Sequence, residues 1–120
     1  MNLENSFRQA LLFCQSKGIK ISFGAMFDWR NDDLPFAVDA MGAILVQQNK
    51  HQEFKLDFPP GWLVSFCNEM QVSPSWIHNF SMGFNHGFQI MIENYKGGKL
   101  ISLCPDEASK MGLVLRKEFK

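Results

Sequence analysis

The chain has 120 residues, 46% of them hydrophobic and 20% charged, and its twelve Lys or Arg balance twelve Asp or Glu. That length fits one domain, residues 1–120, whose core is large enough to need neither disulfide nor metal, and the composition is that of a folded chain, not a disordered one. A formal net charge of zero removes the long-range field that draws proteins to nucleic acid or to anionic membranes.

Leu3 to Lys17 reads as the first helix, with Leu3, Phe7, Ala10, Leu11 and Cys14 on one face and Gly18 as its stop. Ile19 to Phe23 alternates and suits a short strand or an extended lead-in. The following stretch, residues 24–34, is rich in Asn and Asp and reads as a loop. It also holds Met26, Phe27 and Trp29. These rings either fold back as anchors or form a contact surface, and the length of the loop favours anchoring. Arg30 in this loop is a candidate partner for Asp39. Asp28, Asp32 and Asp33 lack the twelve-residue calcium-loop pattern.

Pro35 to Gln48 is the most apolar segment, and between Phe36 and Val46 only Asp39 is charged. It is expected to form a central helix, apolar nearly all round, with Asp39 paired to Arg30 or a ligand, or capping a backbone N–H. Asn49 to Leu56 is a polar connection. Two helices are then expected, from about Trp62 to Met70 and from about Pro74 to Asn85. Pro59, Pro60 and Gly61 precede the first, and Ser73 before Pro74 is a strong N-cap for the second. Leu63, Phe66, Cys67 and Met70 face inward from the first; Ile77, Phe80 and Phe84 face inward from the second. Asn85-His86-Gly87 ends it.

Residues 88–103 contain two apolar runs flanking Gly97-Gly98, compatible with a short β-hairpin. A last helix is expected from Pro105, with Asp106 and Glu107 at its positive end and Ala108, Met111, Leu115 and Phe119 inward.

The spacing in residues 60–85 resembles the helix-turn-helix unit of DNA-binding proteins. Cys67, Gln71 and Ile77 take its small, turn and branched positions, and Phe66, Met70, Val72 and Phe80 its apolar ones. It departs at Gln71, where Gly is usual. The resemblance implies a DNA-binding regulator, but no Lys or Arg lies between Leu56 and Tyr95. Basic side chains supply most of the affinity for phosphates, so a nucleic-acid partner is disfavoured.

Catalytic and cofactor motifs are lacking. His78 and His86, eight apart, are rotated by about 80° on a helix, so they do not form a His-x-x-x-His metal pair. Cys67 with His78 could be a nucleophile and base, but an apolar surrounding raises a thiol pKa and silences it. A small-molecule or hydrolytic site lined by Trp29, Asp39, His78 and Asn85 is the remaining chemical alternative. Three widely spaced Cys and an N-terminus without the signal-peptide pattern suggest free thiols in the cytoplasm. No apolar run approaches the roughly 20 residues of a membrane span.

The expectation is therefore a mainly α protein, a compact bundle of four to five helices with at most a short β-hairpin near residues 88–103. Its expected role is that of a cytoplasmic protein-interaction domain, adaptor or regulatory, without catalytic residues, metal or cofactor. Twelve Phe, three Trp and seven Met are hard to bury in one small domain, so a homodimer is expected, formed through the loop before the central helix. Phe27, Trp29, Arg30, Asp39, His78 and Asn85 are its candidate binding residues.

Overall fold

A computed structural model describes residues 2–120. Helix α1 spans Leu3–Ser16, and its N-cap Asn2 accepts a hydrogen bond from the Asn5 N–H at 3.0 Å. It buries Phe7, Ala10, Leu11 and Cys14, the face expected from their spacing. Strands β1 (Lys20–Ile21), β2 (Phe27–Asp28) and β3 (Ala37–Val38) form a small sheet in the order β1-β3-β2. β3 runs parallel to β1 and antiparallel to β2, with Val38 opposite both Ile21 and Phe27.

This sheet corrects the expectation of a bundle of helices: the fold is helix-rich but mixed. It also shortens the central helix, α2, to Ala40–Gln47. Residues 37 and 38 are drawn into the sheet, and Asp39 becomes the N-cap, its carboxylate accepting from the Gly42 N–H at 2.9 Å. An apolar run alone does not separate a buried strand from a buried helix; here pairing with two neighbours decides. Gly42 is required where it stands, because a Cβ there would run into the carbonyl oxygen of Met26.

A 3-10 turn, His51–Phe54, follows, and both named residues are buried. Helices α3 (Trp62–Met70) and α4 (Pro74–His86) are the expected pair. Ser73 caps α4 by accepting from the Trp76 N–H at 3.1 Å, and Gln71 closes α3 in the left-handed conformation, φ 58°. Strands β4 (Met91–Lys96) and β5 (Lys99–Pro105) form an antiparallel hairpin, so Pro105 ends a strand instead of opening the last helix. Helix α5 spans Glu107–Phe119, with Asp106 as its N-cap, accepting from the Ser109 N–H at 3.0 Å.

The core is a continuous apolar cluster linking α1 to α5. Its spine is aromatic: Phe7 stacks on Phe80 at 4.3 Å, Phe80 on Phe84 at 6.0 Å, and Phe23 leans on Phe84 at 5.0 Å. α4 and α5 cross backbone to backbone. A Cβ on Gly83 would meet the Ser109 carbonyl, and one on Gly112 the Phe80 carbonyl and the Phe84 nitrogen. Arg116 fastens the crossing, donating from Nη1 to the Phe84 carbonyl at 2.8 Å. Among the described residues, no helix is long and apolar enough to cross a membrane.

Candidate functional site

The β4–β5 hairpin stands apart from this core. Every residue of both strands is exposed except Asn94, which is half-buried. The molecule measures 56 × 30 × 24 Å, with a radius of gyration of 15.7 Å, against about 14 Å for a compact chain of this length. Its base is fixed. The Asp106 N–H donates to the Ile90 carbonyl at 2.7 Å, and the Ile90 N–H donates to Ser109 Oγ at 3.0 Å. Its tip turns at Gly97 and Gly98, both at positive φ (59° and 77°), as a two-residue hairpin turn requires.

Register assigns the two faces. Met91 lies opposite Pro105, Glu93 opposite Leu103 and Tyr95 opposite Leu100. Side chains alternate along a strand, so Met91, Glu93, Tyr95, Leu100 and Leu103 share one face. On the other are Ile92, Asn94, Ser102 and Cys104; the Asn94 amide reaches Ser102 Oγ and Cys104 Sγ, each at 3.1 Å. β5 carries an irregularity opposite Asn94 and Tyr95, with Ile101 as its extra residue. On the first face Tyr95 donates its hydroxyl proton to Glu93, which raises the phenol pKa above its ordinary value.

Met91, Tyr95, Leu100 and Leu103 are 47–58% exposed. At roughly 200 Å² for a large side chain, this face presents about 400 Å² of side-chain surface, in the range of the largest apolar patch on an ordinary monomer. A two-stranded hairpin is at best marginally stable alone in water, and among the described residues no third strand or helix is laid across this one.

The residues singled out from the sequence fall into four groups. Phe27 and Trp29 turn inward: Phe27 packs on Phe54 at 5.5 Å, Trp29 stacks on His51 at 6.3 Å, and both are half-buried. Arg30 is held outside, paired with Asp28 at 3.2 Å and lying over the Phe36 ring at 3.7 Å; it does not pair with Asp39. The aromatic surface of the 24–34 loop is thus largely satisfied within the chain.

Asp39 and Asn85 are brought together and buried, the Asn85 amide donating to Asp39 Oδ2 at 3.2 Å and to Ser81 Oγ at 2.9 Å. Burial pushes the Asp39 carboxyl up to about 6, against the hydrogen bonds from the Gly42 N–H, the Asn85 amide and the Met41 N–H. Among the described residues, Asn85 Oδ1 has no hydrogen-bond partner. His78 lies on the exposed side of α4.

No protein family, curated protein or solved structure matches this chain.

The cysteines are free: Cys14 and Cys67 are buried and Cys104 is exposed on β5. Burial pushes the Cys14 thiol up to about 12 and also raises that of Cys67, so neither is poised as a nucleophile. Among the described residues no group of three His, Cys, Asp or Glu is arranged to hold a metal ion. Two features are not legible in the sequence: the exposure of the hairpin and the interior position of His51, whose Nδ1 is buried without a partner among the described residues. The spacing of residues 91, 95, 100 and 103 does not tell an exposed apolar face from a covered one. Nothing periodic marked the second.

Proposed function

We propose that the chain is a small protein-interaction domain, adaptor or regulatory, that self-associates as a homodimer through the hairpin face of Met91, Tyr95, Leu100 and Leu103. The observation carrying this reading is the uncovered, mostly apolar face, which also carries Glu93, on an arm whose base is fixed to the core. If about 57% of an ordinary interface is apolar, a 400 Å² apolar face belongs to roughly 700 Å² per partner, close to the about 800 Å² of a standard interface. Two-fold pairing uses each exposed side chain twice, and zero net charge leaves little repulsion to overcome. Free thiols suit the reducing cytoplasm. Amide hydrogen exchange tests the surface: protection within residues 91–105 should rise with protein concentration while the α1–α2 segment stays constant. Concentration-independent exchange in residues 91–105 refutes it.

A second reading, DNA binding by residues 60–85, draws on the left-handed conformation of Gln71 at the position where helix-turn-helix units use Gly. It is the weaker one, because α3 and α4 contain no Lys or Arg and phosphate neutralisation supplies most DNA affinity. Nanomolar binding of a selected duplex, lost on changing Ser75 or Asn79, would reverse the ranking.

A further inference from the structure

A cleft of about 250 Å³ lies between the 3-10 turn and α3. None of the strands of the hairpin contributes to it, so it is independent of the self-association proposed above. Leu45, Phe54 and Phe66 supply buried apolar groups, Trp62 an aromatic one, and Pro59-Pro60 lies along its edge. Phe54 and Trp62 stand nearly perpendicular, 79° apart with centroids at 5.8 Å, and Phe58 packs edge-on against both. Proline fixes its own backbone φ, and the interlocked rings restrict one another, so the aromatic end of the cleft is built before any ligand arrives.

Charge then selects what fits. Lys50 from the turn and Glu69 from α3 neutralise each other at 2.7 Å. Glu53, the third charged residue of the lining, makes no ion pair among the described residues. The lining therefore carries one uncompensated negative charge beside two aromatic rings. A ring face attracts cations through its quadrupole, and an apolar pocket with a few placed polar groups is the usual form of a small-ligand site.

We propose that this cleft binds a small organic cation: an ammonium group on a compact apolar body. Its ammonium group engages Glu53 and an aromatic face, and its body rests against Leu45 and Phe66. An anion meets no free cation there, since Lys50 is already paired. A neutral molecule of the same shape loses the charge-assisted contact.

Three probes of similar size separate these cases: phenethylammonium, 2-phenylethanol and phenylacetate, titrated while amide and indole resonances are followed by NMR. Phenethylammonium should shift Phe54, Trp62 and Ser65 saturably. It should bind about ten-fold tighter than the alcohol, as expected for one charge-assisted contact, and phenylacetate should not saturate. Glu53→Gln, an exposed and tolerant substitution, should abolish the preference for the ammonium while leaving the spectrum folded. Equal binding of ammonium and alcohol, preference for the acid, no saturable shift, or an unaltered preference in Glu53→Gln would each overturn the proposal. Repeating the titration on Leu103→Glu keeps the result separate from self-association, because that change lies on the hairpin.

Discussion

Replacing Asp39 with Asn should stabilise the protein at neutral pH. The carboxylate is 2% exposed, and its pKa is pushed from 3.8 to about 6. A folded-state pKa above the unfolded one means that the folded state binds the proton more tightly. Stability from this group is therefore fully present below about pH 4 and is lost as pH rises through about 6. A shift of about two units corresponds to about 3 kcal/mol. Asn has the same shape and is as good an N-cap as Asp, so the bond from the Gly42 N–H survives. Its amide can donate to Asn85 Oδ1 only once the Asn85 amide reverses, which turns Asn85 Nδ2 from Ser81 toward the side where Oδ1 lacks a partner among the described residues and so offsets part of the gain. Urea melts of wild type and Asp39→Asn from pH 4 to pH 7.5 should nearly coincide at the acid end. They should separate to about 1–3 kcal/mol in favour of Asn at the neutral end, allowing for imperfect replacement of the hydrogen bonds. Taking the difference between the two proteins cancels the other titrating groups. A difference that does not change with pH, or a less stable Asn variant at neutral pH, would refute this account of the buried pair.

Other consequences can be checked independently. Phe80→Ala should cost about 3–5 kcal/mol in a urea melt by opening a cavity in the aromatic spine, whereas His78→Ala, on the exposed side of α4, should change stability by less than about 0.5 kcal/mol. Gly83→Ala and Gly112→Ala should each cost at least about 1–3 kcal/mol, because the helices must separate to admit the methyl group; melts within experimental error of wild type would rule out the backbone crossing. His51 has its pKa lowered by burial, so its contribution is complete above its ordinary value near 6.5 and is lost as acidification charges it. His51→Gln should lessen the loss of stability just below pH 6.5, measured by thermal melting. A native thiol titration should find Cys104 reactive and Cys14 and Cys67 slow until denaturant is added; equal rates would contradict their burial.

The helices could be read largely from punctuation and spacing. Pro60-Gly61 before Trp62, Ser73-Pro74 and Gly87 bound α3 and α4, and the residues expected to face inward from α4 are buried. These signals are local, so a single sequence contains them. The sheet depends on partners distant in the chain. Ala37 and Val38 look like the start of an apolar helix until Lys20-Ile21 and Phe27-Asp28 pair with them, and that pairing decides among the roles open to Asp39 in favour of the cap. His51 and Phe54 belong to a single short turn, too brief for periodicity to reveal. The hairpin is the opposite case. Its strands were foreseeable from Gly97-Gly98, but apolar residues are ordinarily taken to be inside. Whether another layer of this chain covers them is decided by where α5 leaves the hairpin and packs on α4. Phe27 and Trp29, in the Asp-rich loop, find aromatic neighbours within the chain, whereas Tyr95 and Leu103 remain half-exposed.

The most direct test of self-association is the mass in solution by light scattering across micromolar concentrations. The wild-type chain should pass from 13.8 kDa toward twice that mass. Leu103→Glu should remain monomeric with unchanged helical circular dichroism, and Trp29→Ala should still dimerise. A wild-type protein that stays monomeric at every concentration, or a dimer unaffected by Leu103→Glu, would contradict the assignment of the hairpin as the contact surface.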